Sequence, residues 1–69
     1  MPLSMAKPGE TLTIRGITGK DEVRRHLNEL GFTVDGVVTV VTELAGNLIV
    51  QVKDSRVALD RTMANRIVV

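Results

Sequence analysis

The 69 residues are enough for one domain with a small core, and nine basic side chains are balanced by eight acidic ones. A formal net charge of +1 lacks the electrostatic footprint of a nucleic-acid or anionic-membrane binder, and the single aromatic, Phe32, provides no platform for stacking bases. With no cysteine there is neither a disulfide nor a thiolate metal site, so the chain must fold on packing alone, which suits a reducing compartment.

The opening MPLSMAKPGE has neither the basic n-region nor the apolar h-region of a signal peptide. No apolar run approaches the length of a bilayer span, and a cytoplasmic protein is expected. Residues 1 to 9 read as a loop that Leu3 and Met5 anchor to the core, with Lys7-Pro8-Gly9 as a turn. From Glu10 to Ile17 the pattern alternates: Leu12 and Ile14 point one way, Thr11, Thr13 and Arg15 the other, as in a half-buried strand. Gly16 marks a bulge or bend in it.

Thr18 to Gly31 reads as the main helix. Thr18 is its expected cap, Asp21 and Glu22 suit its positive end, and Gly31 suits the left-handed position after its last turn. Val23, Leu27 and Leu30 make one apolar stripe at i, i+4 and i+7, with His26 at its border.

Val37 to Leu44 and Leu48 to Lys53 form the clearest hairpin, turned by Ala45-Gly46-Asn47. Val38, Val40 and Thr42 are expected on one face, and Leu48, Val50 and Val52 alternate with Ile49, Gln51 and Lys53. Asp54-Ser55 then turns the chain into a strand from Arg56 to Leu59. Asp60 to Asn65 is one helical turn with Met63 and Ala64 inside, and Ile67-Val68-Val69 closes the chain as a strand. Five short strands in so few residues fit a mainly β fold: a small, partly closed SH3-like barrel, with one helix after the first strand and a helical turn near the C-terminus. Residues 1–69 form a single domain. Closure hides strand edges that would otherwise invite pairing, and any edge left open makes weak self-association an expectation.

None of the chemistry-bearing residues makes a catalytic or metal-binding pattern. His26 has no partner at ligand spacing, so a boundary residue of the helix is expected rather than a metal ligand. Asp54 and Asp60 read as a turn and a helix-start residue, and Ser55 has no base near it in sequence. GITGK, Gly16 to Lys20, has some of the residues of a phosphate-binding loop but not the spacing, with Asp21 where a hydroxyl residue is required. Met1, Met5 and Met63 are scattered and fit core filling better than a soft-metal site. Arg15, Lys53, Arg56, Arg61 and Arg66 would meet an acidic partner only if folding gathered them on one rim. No enzyme, cofactor or metal site is expected.

The order of short motifs does point to a family. Pro8-Gly9-Glu10, the helix end Leu30-Gly31, the valine strand from Val37 to Val41, Ser55-Arg56-Val57-Ala58-Leu59, then Ala64 and Ile67 follow one another with characteristic spacing. Together with GNLIVQVKDSRVALDRTMANRIVV they resemble the FeoA family of ferrous iron transport accessory proteins, over essentially the whole chain. The resemblance implies an SH3-like barrel that binds and modulates the FeoB ferrous iron transporter, a polytopic membrane protein with a cytosolic GTPase domain. Contact with the membrane would then be only indirect. The same fold closes iron-dependent repressors of the diphtheria toxin repressor type, but no winged-helix DNA-binding segment is present here. On this reading Leu30, Phe32, Ala58 and Leu59 are the expected partner-binding residues, beside the helix. One departure stands out: the family usually places a glycine four residues after the helix-ending one, where this chain has Asp35, with Gly36 one later. Asp tolerates the left-handed region better than most residues, so the turn is expected to survive. Two alternatives are a nucleic-acid-binding barrel, disfavoured by charge and the lone aromatic, and a transition-metal-binding protein, for which ligand spacing is missing.

Overall fold

Two antiparallel sheets share the strands, because the chain leaves one sheet for the other midway through its first extended segment. The computed structural model describes residues 1–69. After a 3-10 turn at Leu3–Met5 come β1 (Thr11–Thr13), β2 (Gly16–Ile17), α1 (Asp21–Glu29), β3 (Val37–Leu44), β4 (Asn47–Val52), β5 (Ser55–Leu59), α2 (Arg61–Ala64) and β6 (Ile67–Val68). One sheet runs β1-β3-β4-β5 and the other pairs β2 with β6. No ladder joins β5 to the smaller sheet, so the barrel is incompletely closed, as a small SH3-like fold allows.

The continuous strand expected from Glu10 to Ile17 is two strands, and the break falls at Ile14–Arg15, before Gly16. The Ile14 amide donates to the Gly36 carbonyl at 2.8 Å, still beside β3, whereas the Arg15 amide donates to Val68 at 2.7 Å. Consecutive residues thus bond to different sheets, and Gly16 already sits opposite Val68. That switch wraps one sheet over the core of the other.

The helix is shorter than its sequence signals. Thr18 does not cap it, because its amide donates to the Arg66 carbonyl at 2.7 Å and so extends the β2–β6 pairing. Lys20 occupies the cap position with no side-chain hydrogen bond to the helix. The C-terminal end matches expectation. Leu30 is the last cap residue, Gly31 turns left-handed with φ 108°, and the amides of Gly31 and Phe32 donate to Asn28 and Leu27, both at 3.0 Å. These two bonds are the paired closure of a Schellman motif, which satisfies the last helical carbonyls. The motif aims Phe32 inward, where it and Leu27 are both fully buried.

In the central hairpin the loop is two residues rather than three. Leu44 pairs with Asn47, leaving Ala45 (φ 53°) and Gly46 (φ 82°) as the turn. A register shift between Val40 and Thr42 leaves Val41 as a bulge, so Thr42 does not share the buried face of Val38 and Val40 and is exposed instead. The second hairpin turns at Lys53-Asp54, one residue earlier than expected, with Val52 opposite Ser55. Asp60 caps α2 as the sequence indicates, accepting from the Met63 amide at 2.8 Å.

The core consists of 13 buried side chains and contains no polar or charged residue. β4 contributes Leu48, Val50 and Val52, β3 contributes Val38 and Val40, and Leu3, Ile14, Leu27, Phe32, Leu59 and Ile67, with the small Ala6 and Ala64, seal the remaining sides. Leu3, with Ala6 after it, anchors the N-terminal turn, and Met5 does not, being 68% exposed. Burial of such aliphatic side chains, each worth roughly 1.5–3 kcal/mol, is the main force available to a chain without disulfides.

Candidate functional surface

Strand alternation that buries one face of the larger sheet fixes what the other presents. Opposite residues share a face, so the register Thr11–Thr39–Gln51–Arg56 forms one row across all four strands, on the side away from the core. The row is tied together by side chains. Thr11 and Thr39 hydroxyls lie 3.0 Å apart, and the Arg56 Nε–H donates to Gln51 Oε1 at 3.4 Å.

Beside this row is a groove of about 730 Å³, open to solvent. Val37 and Val41 supply its apolar lining, Thr39 and Gln51 its polar floor, Gly9 one wall, and Lys53 with Arg56 the opposite, cationic end, while the Val40 side chain beneath faces the core. Val37, the first residue of β3, is 54% exposed. The bulge at Val41 bends β3 at this point, and the turn ending at Gly9 is held against the bend by its amide bond to the Val40 carbonyl, 2.7 Å.

Of the five cations considered from the sequence, folding gathers two. Lys53 and Arg56 share the groove, whereas Arg61 lies 3.9 Å from Glu43 and Arg66 rests its aliphatic stem beside Gly19. Arg15 leaves the larger sheet with the β2–β6 pairing. The chain's only two ion pairs are Arg61–Glu43 and Arg24–Asp21, so neither Lys53 nor Arg56 has a carboxylate partner.

The four residues expected at a partner-binding rim do not form an exposed surface: Phe32 and Leu59 belong to the core, Leu30 packs against it, and only Ala58 lies outside. Phe32 and Leu59 are inside the core, at 0% and 3% exposure, which corrects their placement on a rim. The physical reasons are the Schellman turn, which directs Phe32 inward, and the pleat of β5, which sends Leu59 in and Ala58 out. Ala58 is exposed on the outer face opposite Ile49, and Leu30 is half-buried at the helix end. His26 is exposed on α1 rather than packed at the edge of its apolar stripe. Nowhere do three His, Cys, Asp or Glu side chains group as metal ligands would. Sequence reasoning missed the groove itself. Its signal was present in the outward positions of three strands, Val37, Thr39, Gln51 and Arg56, but only the register shows that they are neighbours.

Comparison with known proteins agrees with this architecture. The FeoA domain model matches residues 1–69. Among solved structures, FeoA of Stenotrophomonas maltophilia complexed with zinc is 30% identical, with a TM-score of 0.86 over 99% of this chain and 87% of that one. It is described as a prokaryotic SH3 domain protein and considered as a bacterial ferrous iron transport activating factor. An iron uptake regulatory protein, also a FeoA, is 29% identical with a TM-score of 0.88, covering 96% of this chain and 88% of that one. A manganese-dependent transcriptional repressor shares the fold at 24% identity and a TM-score of 0.86, and this chain spans 39% of its length. No curated protein sequence matches. No helix is long and apolar enough to cross a membrane.

Proposed function

Because this chain belongs to the FeoA family, which is linked to ferrous iron transport, we propose that it is a non-enzymatic accessory protein that docks on the cytosolic region of a FeoB-type transporter. The observation that carries this reading is the family match over residues 1–69, which covers every element of the fold. Two features of the molecule support it. Its buried interior holds no polar or charged group, and its largest concavity is a shallow groove on a sheet face, a shape suited to a protein segment.

An accessory protein of this kind acts by binding one conformation of the transporter more tightly than another, which shifts the population between them. A tenfold preference moves that equilibrium by about 1.4 kcal/mol, enough to change transport without any chemistry in the accessory protein itself. The protein would work at the cytosolic face of the membrane, reaching the bilayer only through its partner.

The test is a calorimetric titration of the full chain into the purified FeoB cytosolic region, repeated with the intact transporter in detergent. Saturable binding to either is the expected result. Absence of binding to both would overturn the proposal.

A further inference from the structure

We propose that the groove on the outer sheet face takes a short extended protein segment carrying carboxylates and aliphatic side chains, with a carboxylate between Lys53 and Arg56 and an aliphatic group on Val37 and Val41. This deepens the reading of the chain as a docking protein and rests on it, but it names the surface and the chemistry that surface selects.

Charge complementarity is the first argument. Lys53 and Arg56 line the same groove, are exposed, and have no acidic partner in a chain whose only ion pairs lie elsewhere. Arg56 is also oriented. Its Nε–H is held by Gln51 Oε1 at 3.4 Å, which leaves the terminal guanidinium nitrogens to donate to a carboxylate in the paired geometry arginine favours.

Lys53 supplies an independent argument. It sits in the two-residue loop between β4 and β5 with φ 54°, a left-handed conformation that an L-residue adopts at a cost. Glycine would fit that backbone without strain and asparagine with less of it, so the hairpin gains nothing from a lysine there. The strained backbone instead holds a long cationic side chain at the groove, an outlier consistent with a binding role.

The remaining lining defines the rest of the ligand. Val37 and Val41 offer apolar surface beside the Thr39 and Gln51 side chains, so the segment needs an aliphatic group as well as a charge. In an extended segment, alternate side chains emerge on the same side roughly 6.8 Å apart, so a carboxylate and an aliphatic group two residues apart can both face the groove. A nucleic-acid strand would find the cations but no aromatic side chain to stack on, since Phe32 is fully buried.

The experiment uses the full chain, isotopically labelled, titrated with an acetylated and amidated pentapeptide alternating valine and aspartate, and separately with its valine–lysine counterpart. Amide shifts confined to Thr39, Gln51, Arg56 and their neighbours are expected with the acidic peptide only. Lys53→Gly and Arg56→Gln should each weaken binding about tenfold. Because Lys53→Gly also relieves the strained turn, its melting temperature should not fall, which separates lost binding from lost fold. The inference is overturned if no groove amide responds at millimolar acidic peptide, or if the lysine peptide or inorganic phosphate gives the same shifts. It is equally overturned if the groove amides broaden with protein concentration alone, since a second copy would then be the occupant. Transporter binding that survives both substitutions would sink this site but leave the proposed function standing. Peptide binding without transporter binding would do the reverse.

Discussion

The Gly36 amide donates to the Thr33 carbonyl at 2.9 Å, and a β-carbon on Gly36 would itself lie 2.9 Å from that oxygen. Asp35, not Gly36, takes the left-handed conformation here, with φ 70°. Two requirements that one glycine often meets are thus divided between neighbours: Asp35 turns the chain, and Gly36 leaves room for the turn to close. Gly36→Ala should therefore destabilise the fold by about 1–3 kcal/mol through overpacking against backbone that cannot retreat. Asp35→Gly should stay within about 1 kcal/mol of the parent, since relief of left-handed strain offsets the added freedom of the unfolded chain. Urea midpoints with unchanged slopes measure both. A larger loss at Asp35 than at Gly36 would show that this division is wrong.

Ala45 offers the opposite kind of change. With φ 53° it is the first residue of a two-residue hairpin loop whose second, Gly46, has φ 82°. Both central positions need positive φ, the pattern for which Asn-Gly is the favoured pair. Ala45→Asn should raise stability by about 0.5–1 kcal/mol, because aspartate and asparagine enter this region more cheaply than alanine. In a domain of this size the melting temperature would rise by roughly 2–8 °C. A thermal melt followed by circular dichroism is sufficient, and an unchanged or lower midpoint would refute the assignment of this loop.

The two helices make a paired test of capping. Asp60 caps α2, and Asp60→Ala should cost about 1 kcal/mol, whereas Asp60→Asn should cost much less because it keeps the accepting oxygen. At the start of α1, Lys20 occupies the cap with no side-chain bond, and its charge opposes the helix dipole. Lys20→Ser should stabilise by about 1 kcal/mol. Thr18→Ala should change little, within roughly 0.5 kcal/mol, because the Thr18 hydroxyl reaches only the Arg66 carbonyl, at 3.4 Å on the surface. Chemical denaturation of the four variants checks the set, and a large loss for Thr18→Ala would restore it as the cap.

These cases show what local sequence could and could not convey. Leu30-Gly31, the alternation of Leu48, Val50 and Val52, and Asp60 before its helix are local signals, and each element formed where its signal lay. Thr18 misled because a cap residue and a strand residue look alike until Arg66, 48 residues on and just before β6, accepts from its amide. Val41 carried no mark of a bulge, because two consecutive valines read as uninterrupted strand. The groove was illegible for the same reason. Thr39, Gln51 and Arg56 become neighbours only through register, which two tight turns and one bulge decide together.

The four residues first assigned to partner binding separate cleanly by experiment. Phe32 is fully buried, so Phe32→Ala should cost about 3–5 kcal/mol, comparable with the whole stability of a domain at about 0.05–0.15 kcal/mol per residue. Leu59→Ala should cost about 2–5 kcal/mol on the same grounds. Any loss of partner binding in these variants should follow the fraction unfolded, and Phe32→Leu, which preserves much of the volume, should recover most of it. Ala58 behaves differently because it faces outward on β5, two residues from Arg56 on the same face. Ala58→Glu should leave the melt within about 0.5 kcal/mol of the parent yet weaken an acidic ligand several-fold by placing like charge beside its site. Leu30→Ala, at a half-buried position, should fall between the two in stability. Thermal melts beside titrations with the transporter's cytosolic region measure both quantities on the same samples. If Phe32→Leu folds fully and still fails to bind, Phe32 acts on the partner directly, and the structure that binds must differ from the one that buries it.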